Sequence, residues 1–290
     1  MLERRTTVRP AGLLTPRLSV AVASLALTVS ACAVAPPSPP ALAYGESSAA
    51  GAAYAFADTT LVDISVMGQS MTLSQRGTAV YDVAFREAPS GVGVALTVRT
   101  LAATLSEPMG GSIRVDEGSV DGALEFTLDR QGNAVVSSRP RVEAEASQMI
   151  SGLSLAHTFF PALPGRAATA GESWVDSLAF SGDEAAGARS ESSVLRYTVV
   201  GDTLVDGRTL LRIDFEGTTT VANELEVSGM AVSQRSELDV TGLVLWDVQA
   251  GLMVEQLRTA TGSGTVSVPI APVPLPITLR SVQRTRIQQP

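Results

Sequence analysis

The sequence predicts a mainly β fold of the α+β class: a curved antiparallel sheet, or two β halves in a barrel-like arrangement, with one packed amphipathic helix. Three observations carry this reading. From Thr59 onward apolar residues recur at every second position between Gly, Asp and Asn punctuation, the period of half-buried antiparallel strands. Between Arg141 and Phe160 the period changes to that of a helix. The strand-rich stretches on either side of that segment have similar lengths and share short strings.

The chain opens with an export signal, residues 1–31. Arg4, Arg5, Arg9 and Arg17 precede the apolar run Leu18 to Val29, and small residues follow. That run is too short to span a bilayer as a helix. Thr6-Thr7 stand where twin-arginine export would need hydrophobic residues, so the Arg4-Arg5 pair is not read that way. Val29-Ser30-Ala31-Cys32 resembles the bacterial lipobox, whose Cys is diacylated on its thiol and becomes the mature N-terminus. The resemblance implies a lipid anchor at Cys32 and makes the membrane a partner. Each buried acyl CH₂ contributes about 0.8 kcal/mol, so several chains together hold a protein on a bilayer almost permanently. The alternative is a cleaved secretory signal with Cys32 beside the cut. Ala33 follows the Cys in place of Asp; by the same resemblance this permits sorting to the outer membrane, facing the periplasm or the outside, in a cell that has two membranes. Residues 32–58 are Pro, Ala, Ser and Gly-rich with Pro36-Pro37-Ser38-Pro39-Pro40 inside them, the composition of a disordered tether.

The first β half is placed at 59–140. Tyr81, Val83 and Phe85 alternate with Asp82 and Arg86, and Leu124, Phe126 and Leu128 with Glu125, Thr127 and Asp129. At 141–163 Val142, Ala146, Met149, Ile150, Leu153 and Phe160 form one helical stripe that Pro161 stops. A helix needs a surface to cover, and a strongly curved sheet offers a concave apolar face. The second β half, 164–290, carries Leu211, Ile213 and Phe215 against Arg212, Asp214 and Glu216, and Leu238 and Val240 against Glu237 and Asp239. Turns fall at Asp129 to Asn133, Val205-Asp206-Gly207 and Gln249-Ala250-Gly251. Met71 to Arg76 matches Met230 to Arg235, which suggests two related halves within one folded unit, 59–290. Val268 to Ile277 has no polar side chain, and its four prolines argue against a central strand. It is read either as an extended segment packed across the open end of the sheet or as an apolar contact loop of Pro269, Ile270, Pro272, Val273, Pro274, Leu275 and Pro276.

Composition removes several functions. All 21 Lys and Arg residues are Arg, and 29 acidic residues leave a formal charge of −8, so no basic surface is expected to neutralise phosphates and no nucleic acid is expected as partner. One His and one Cys make neither a zinc cluster nor a disulfide; no metal, cofactor or catalytic residue is expected. Gly152-Leu153-Ser154-Leu155-Ala156-His157 mimics a nucleophile motif, but its Ser falls inside the helix and Ala156 replaces the second Gly. Asp116-Glu117, Asp183-Glu184, Asp202 and Asp206 lack the alternating oxygen ligands of a calcium loop and read as solvated turns. Trp174 and Trp246 read as core anchors.

Phe159-Phe160-Pro161, then Ala170-Gly171-Glu172-Ser173-Trp174, Tyr197 to Gly201 with Asp206-Gly207, and Gly242 to Asp247 together resemble a family of uncharacterised bacterial lipoproteins. In that family a Gly-Asp/Glu-Ser/Thr-Trp segment opens the second β half and a Gly-x-x-x-Phe/Trp-Asp hairpin follows. The resemblance covers roughly Thr59 to Ile287 and implies no reaction or ligand. At the level of fold, a curved sheet embracing a helix is similar to envelope lipoprotein-carrier proteins, which hold acyl chains in the concavity. Two functions follow as expectations: a non-enzymatic binder of an apolar ligand or lipid in a sheet–helix concavity, or a structural or protein-interaction lipoprotein with a filled core and an envelope protein as partner.

Overall fold

Fourteen strands account for most of the described chain, which in this computed structural model comprises residues 41–45, 50–66, 68–106, 111–227 and 230–288. The signal, Cys32 and its preceding Val29, Ser30 and Ala31 lie outside those residues. In order come β1 (Gly51–Val66), β2 (Gln69–Ala88), β3 (Gly91–Ser106), β4 (Ser112–Asp116), a 3₁₀ turn, β5 (Val120–Asp121), β6 (Ala123–Leu128), β7 (Ala134–Ser138) and β8 (Arg141–Val142). After α1 (Ala144–Ser147) and α2 (Gly152–Thr158) follow β9 (Ser173–Glu184), β10 (Gly187–Val205), β11 (Arg208–Val227), β12 (Met230–Asp247), β13 (Leu252–Ser267) and β14 (Leu275–Gln288).

The fold is mainly β, as the alternation requires. All but β5 and β8 join one strongly curled antiparallel sheet in the order β7-β6-β3-β2-β1-β14-β13-β12-β11-β10-β9, with β4 beside β6 on the same edge of β3. The stretches before and after the helices are therefore one sheet, not two. They meet where β1 pairs β14, from Ala53↔Gln288 to Ile64↔Ile277. Strong curl needs strands to come close at the bends. At Gly262 a Cβ would lie 2.0 Å from the backbone oxygen of Glu237, and at Gly242 2.3 Å from the Phe215 ring, so only glycine fits either position.

Curling leaves β7 and β9 as the two edges, and α2 packs against β6 and β7 from one side and β9 from the other. The helix thus covers the seam of a half-barrel. His157 stacks on Phe180 of β9 with centroids 4.6 Å apart, and the Glu184 carboxylate at the end of β9 accepts from Ser151 Oγ and the Leu153 N–H. Glu184 is a strut for the helix rather than part of a solvated turn.

Two expectations are corrected. The helical segment is not continuous over 141–163: Val142 pairs with Val120 in the small β5–β8 ladder, and α1 and α2 are separated at Gln148–Ser151. Ser151 explains the break, because its side chain accepts from the Ser154 N–H and caps α2, while Gly152 disfavours any helix running through. Nor does the tether extend to residue 58. β1 begins at Gly51, Tyr54 is fully buried, and Leu42, Ala43 and Tyr44 are buried as well. Leu42 exchanges backbone bonds with Arg166 and Gly165, the Tyr44 N–H donates to the Arg130 carbonyl, and the Tyr44 hydroxyl donates to the Pro161 carbonyl at 2.7 Å. Small and proline-rich neighbours hide these three residues from any average of composition; burial of Leu and Tyr orders them.

The core lies at the end of the half-barrel where this strap sits. Phe160, just past α2, is ringed by Tyr44, Tyr54, Phe85, Phe126 and Phe159, and Trp246 meets Tyr44 edge-on at 5.5 Å. Burial drives the Tyr44, Tyr54 and Tyr81 hydroxyls well above their usual range, so they stay neutral, and those of Tyr44 and Tyr54 donate to the Pro161 and Met253 carbonyls.

Candidate functional site

The filled core stops partway along the concave face. Between the sheet and the helical segment lies a cavity of about 320 Å³, within the range of small-ligand sites. Its lining comes from the inward phase of the strands and has two characters. On one side Phe56, Ala79, Tyr81 and Leu101 of β1–β3 face Met149, Ile150, Leu155 and Phe159 of the helical segment, an apolar half. The other side carries polar side chains across six neighbouring strands, Asp58 and Thr60 on β1, Ser281, Gln283 and Thr285 on β14, Gln256 and Arg258 on β13, Gln234 and Ser236 on β12, Thr219 and Asn223 on β11, and Arg189 and Glu191 on β10, with Val62, Leu279, Ala260, Leu238 and Val221 beside them on the first five. The expected concave apolar face is therefore corrected: it is apolar over the core and carries polar and charged side chains among apolar ones along one wall of the cavity.

Sheet register builds that wall. Thr60 stands opposite Ser281 and Asp58 opposite Gln283, which in turn stands opposite Arg258. The helical segment closes on it through two bonds, Gln75 Nε2 to the Met149 carbonyl at 3.3 Å and Ser154 Oγ to Glu191 Oε2 at 3.2 Å. Glu191 also takes Arg189 Nη2 at 3.0 Å and has Arg258 Nη2 at 3.9 Å, and Arg258 reaches Thr219 Oγ1 at 3.3 Å. Two buried lining atoms lack a hydrogen-bond partner, Arg189 Nε and Gln256 Oε1. In a polar cavity such atoms are satisfied by water or by a bound molecule.

Asp58 differs from Glu191. It is 7% exposed, accepts only from neutral groups, and burial raises its carboxyl above the ordinary carboxylate range despite bonds from Gln283, Ser281, Thr60 and Gln75. The folded protein thus holds a proton there more readily than the unfolded chain, so this group's contribution to stability falls as pH rises from its unfolded value through its folded one. Asp58→Asn keeps an acceptor and loses the charge. Its melting temperature should exceed that of the parent at pH 7, and the margin should shrink on acidification. Scanning calorimetry at the two pH values checks this, and a lower melting temperature at pH 7 would contradict it.

The residues singled out from sequence fall elsewhere. Pro269, Ile270, Pro272, Val273 and Pro274 form an exposed β13–β14 connection in which Ile270 is 80% and Val273 64% exposed. Leu275 and Pro276 instead open β14, a central strand, where the first turn of a ladder tolerates proline. None of the seven lines the cavity. Ser154 is in α2 and donates to Glu191, and His157 is held by Phe180 with burial lowering its pKa against the opposing pull of Glu191, so the pair does not form a nucleophile and base. Asp116 caps the 3₁₀ turn and Asp206 sits at positive φ between β10 and β11, bonded to Arg286. Trp246 is a core anchor; Trp174 is half-buried, stacked on Tyr197 at 5.5 Å.

The polar wall was missed by the sequence reading, yet a local signal exists. In β14 the inward phase reads Ile277, Leu279, Ser281, Gln283, Thr285, Ile287, and in β1 Tyr54, Phe56, Asp58, Thr60, Val62, Ile64. Polar residues interrupt an otherwise apolar phase in both, at positions that pair.

No protein-family model matches the chain, and no curated protein matches it. Among solved structures, the crystal structure of the beta domain of the Bordetella autotransporter Brka aligns with 82% of this chain and 99% of that domain, at 9% identity and a TM-score of 0.24. At that score the alignment gives no common fold.

Proposed function

We propose that this protein is a non-enzymatic binding protein of the bacterial cell envelope, anchored through lipid on Cys32, that holds an apolar or amphipathic molecule between its sheet and its helices. The observation that supports the binding role is the cavity of about 320 Å³ lined on one side by Met149, Ile150, Leu155 and Phe159. A sheet that needed its concave face only for stability would fill it, since unfilled apolar space costs dispersion contacts. The support for the address is the Val29-Ser30-Ala31-Cys32 string behind an apolar export signal. In a two-membrane cell the reading puts the protein on the outer membrane, facing the periplasm or the outside.

The second reading, an interaction lipoprotein whose partner is another envelope protein, draws on the exposed Ile270 and Val273 between β13 and β14. One experiment separates the two. Residues 33–290, which retain the buried Leu42 to Tyr44 strap, are purified from an envelope fraction and examined by native mass spectrometry with organic extraction. A co-purified apolar or amphipathic adduct is the expected result. A clean mass that also fails to gain adducts from an added envelope lipid extract would remove the binding role and leave the interaction reading.

A further inference from the structure

If the concavity holds a ligand, as proposed above, its lining specifies the polar end of that ligand. Four charged side chains face the cavity. Three answer one another: Glu191 is 6% exposed and is met by Arg189 at 3.0 Å and Arg258 at 3.9 Å. The fourth, Asp58, is buried to a similar degree and has no cation within ion-pair distance among the described residues. A buried carboxylate without a counter-ion is expensive, and this fold compensates the one on β10 but not the one on β1.

The lack of a counter-ion does not come from a shortage of arginine nearby. β14, which pairs with β1 along its length, carries Arg280, Arg284 and Arg286, with Val282 between the first two, all in the phase opposite to the cavity. Arg284 and Arg286 are engaged there with Glu255 and Asp206. In the inward phase the same strand gives Asp58 only Ser281 and Gln283, and β2 gives Gln75. These neutral donors hold the carboxylate loosely. Gln75 Nε2 is at 3.2 Å, Ser281 Oγ at 3.3 Å and Thr60 Oγ1 at 3.4 and 3.5 Å from its oxygens. Charge-assisted donors close to about 2.7–2.9 Å. Two carboxylate oxygens offer about four acceptor positions, and four neutral donors share them, so a charged donor from the cavity side would replace one of these long bonds with a shorter one.

We propose that Asp58 receives the protonated amine of an amphiphile whose apolar portion lies against Met149, Ile150, Leu155 and Phe159. The ammonium supplies the countercharge that the protein withholds, and Gln75, Ser281 and Gln283 orient the carboxylate toward it. Acidic heads are directed elsewhere, since within a lining whose four charges balance, the positive excess lies in the Arg189–Glu191–Arg258 group.

Residues 33–290 are loaded with N-phenyl-1-naphthylamine, a neutral apolar fluorophore, and titrated at pH 7.5 with decylamine, decanol and decanoate, which share a chain and differ in the head. Decylamine is expected to displace the fluorophore at about tenfold lower concentration than decanol, a difference of about 1.4 kcal/mol. In Asp58→Asn the margin between decylamine and decanol should vanish. Circular dichroism and the melting temperature establish that the variant is folded. Equal potency of amine and alcohol, or a margin that survives in Asp58→Asn, overturns the assignment while leaving the cavity as a binding site. A preference for decanoate overturns it by moving the head to the Arg189–Arg258 side. Failure of the fluorophore and of all three alkyl compounds to bind overturns the binding role itself, and the assignment with it.

Discussion

Phe160→Ala should cost about 3–5 kcal/mol of folding stability, the usual price of emptying a large aromatic site, and lower the melting temperature by roughly 6–20 °C for a domain of this size. Phe160 is 4% exposed, and its ring centroid lies 6.0 Å from Tyr44, 6.1 Å from Tyr54, 6.1 Å from Phe85, 6.5 Å from Phe126 and 4.9 Å from Phe159. Those partners come from the strap, β1, β2, β6 and the helical segment itself. One ring therefore fastens the helical cover to the sheet and the strap to both. Collapse around the vacancy is hindered because the neighbours belong to strands whose positions are set by backbone ladders, so the cavity term should approach its upper range. Urea unfolding of residues 33–290 checks the value, with an unchanged slope showing that the loss is in the native state. A loss below about 1 kcal/mol would mean that the helical segment is not fastened at this point.

The same ring shows which parts of the fold the sequence made readable. Strand existence was legible, because Tyr81, Val83, Leu124, Phe126, Ile213, Phe215, Leu238 and Val240 are buried as their alternation predicts. The helical stretch before Phe160 was legible in place but not in extent, since a periodicity window averages over Ser151 and Gly152 while the backbone does not. Which strands neighbour one another was not legible. Nothing local to β1 or β14 says that residues 53 and 288 pair, and that pairing decides between one curled sheet and two halves. The cavity wall inherits this difficulty. Asp58 and Ser281 lie more than two hundred positions apart in sequence and share a site only through register. Its signature, polar residues in the inward phase of β1 and β14, is indistinguishable from a loosely patterned edge strand until each strand is known to be central.

A chain beginning at Gly51 should be less stable than one beginning at Ala41 by on the order of 3–6 kcal/mol, from about 1.5–3 kcal/mol for each of the two large side chains lost. Leu42 is 1% and Tyr44 5% exposed, figures typical of residues inside a core. The strap also satisfies buried backbone. The Leu42 carbonyl takes the Gly165 N–H, the Leu42 N–H is taken by the Arg166 carbonyl, and the Tyr44 hydroxyl bonds the Pro161 carbonyl directly after Phe160. Gly132, at φ 96°, leaves room for the Tyr44 ring; a Cβ there would stand 2.9 Å from it. Such a loss is a large share of the roughly 5–15 kcal/mol that domains usually hold. Urea titrations of the two chains measure it, and coincident midpoints would show that the strap adds nothing. Tyr44→Phe separates the two contributions: it removes only the hydroxyl, should cost about 0.5–1.5 kcal/mol, and keeps the ring against Trp246.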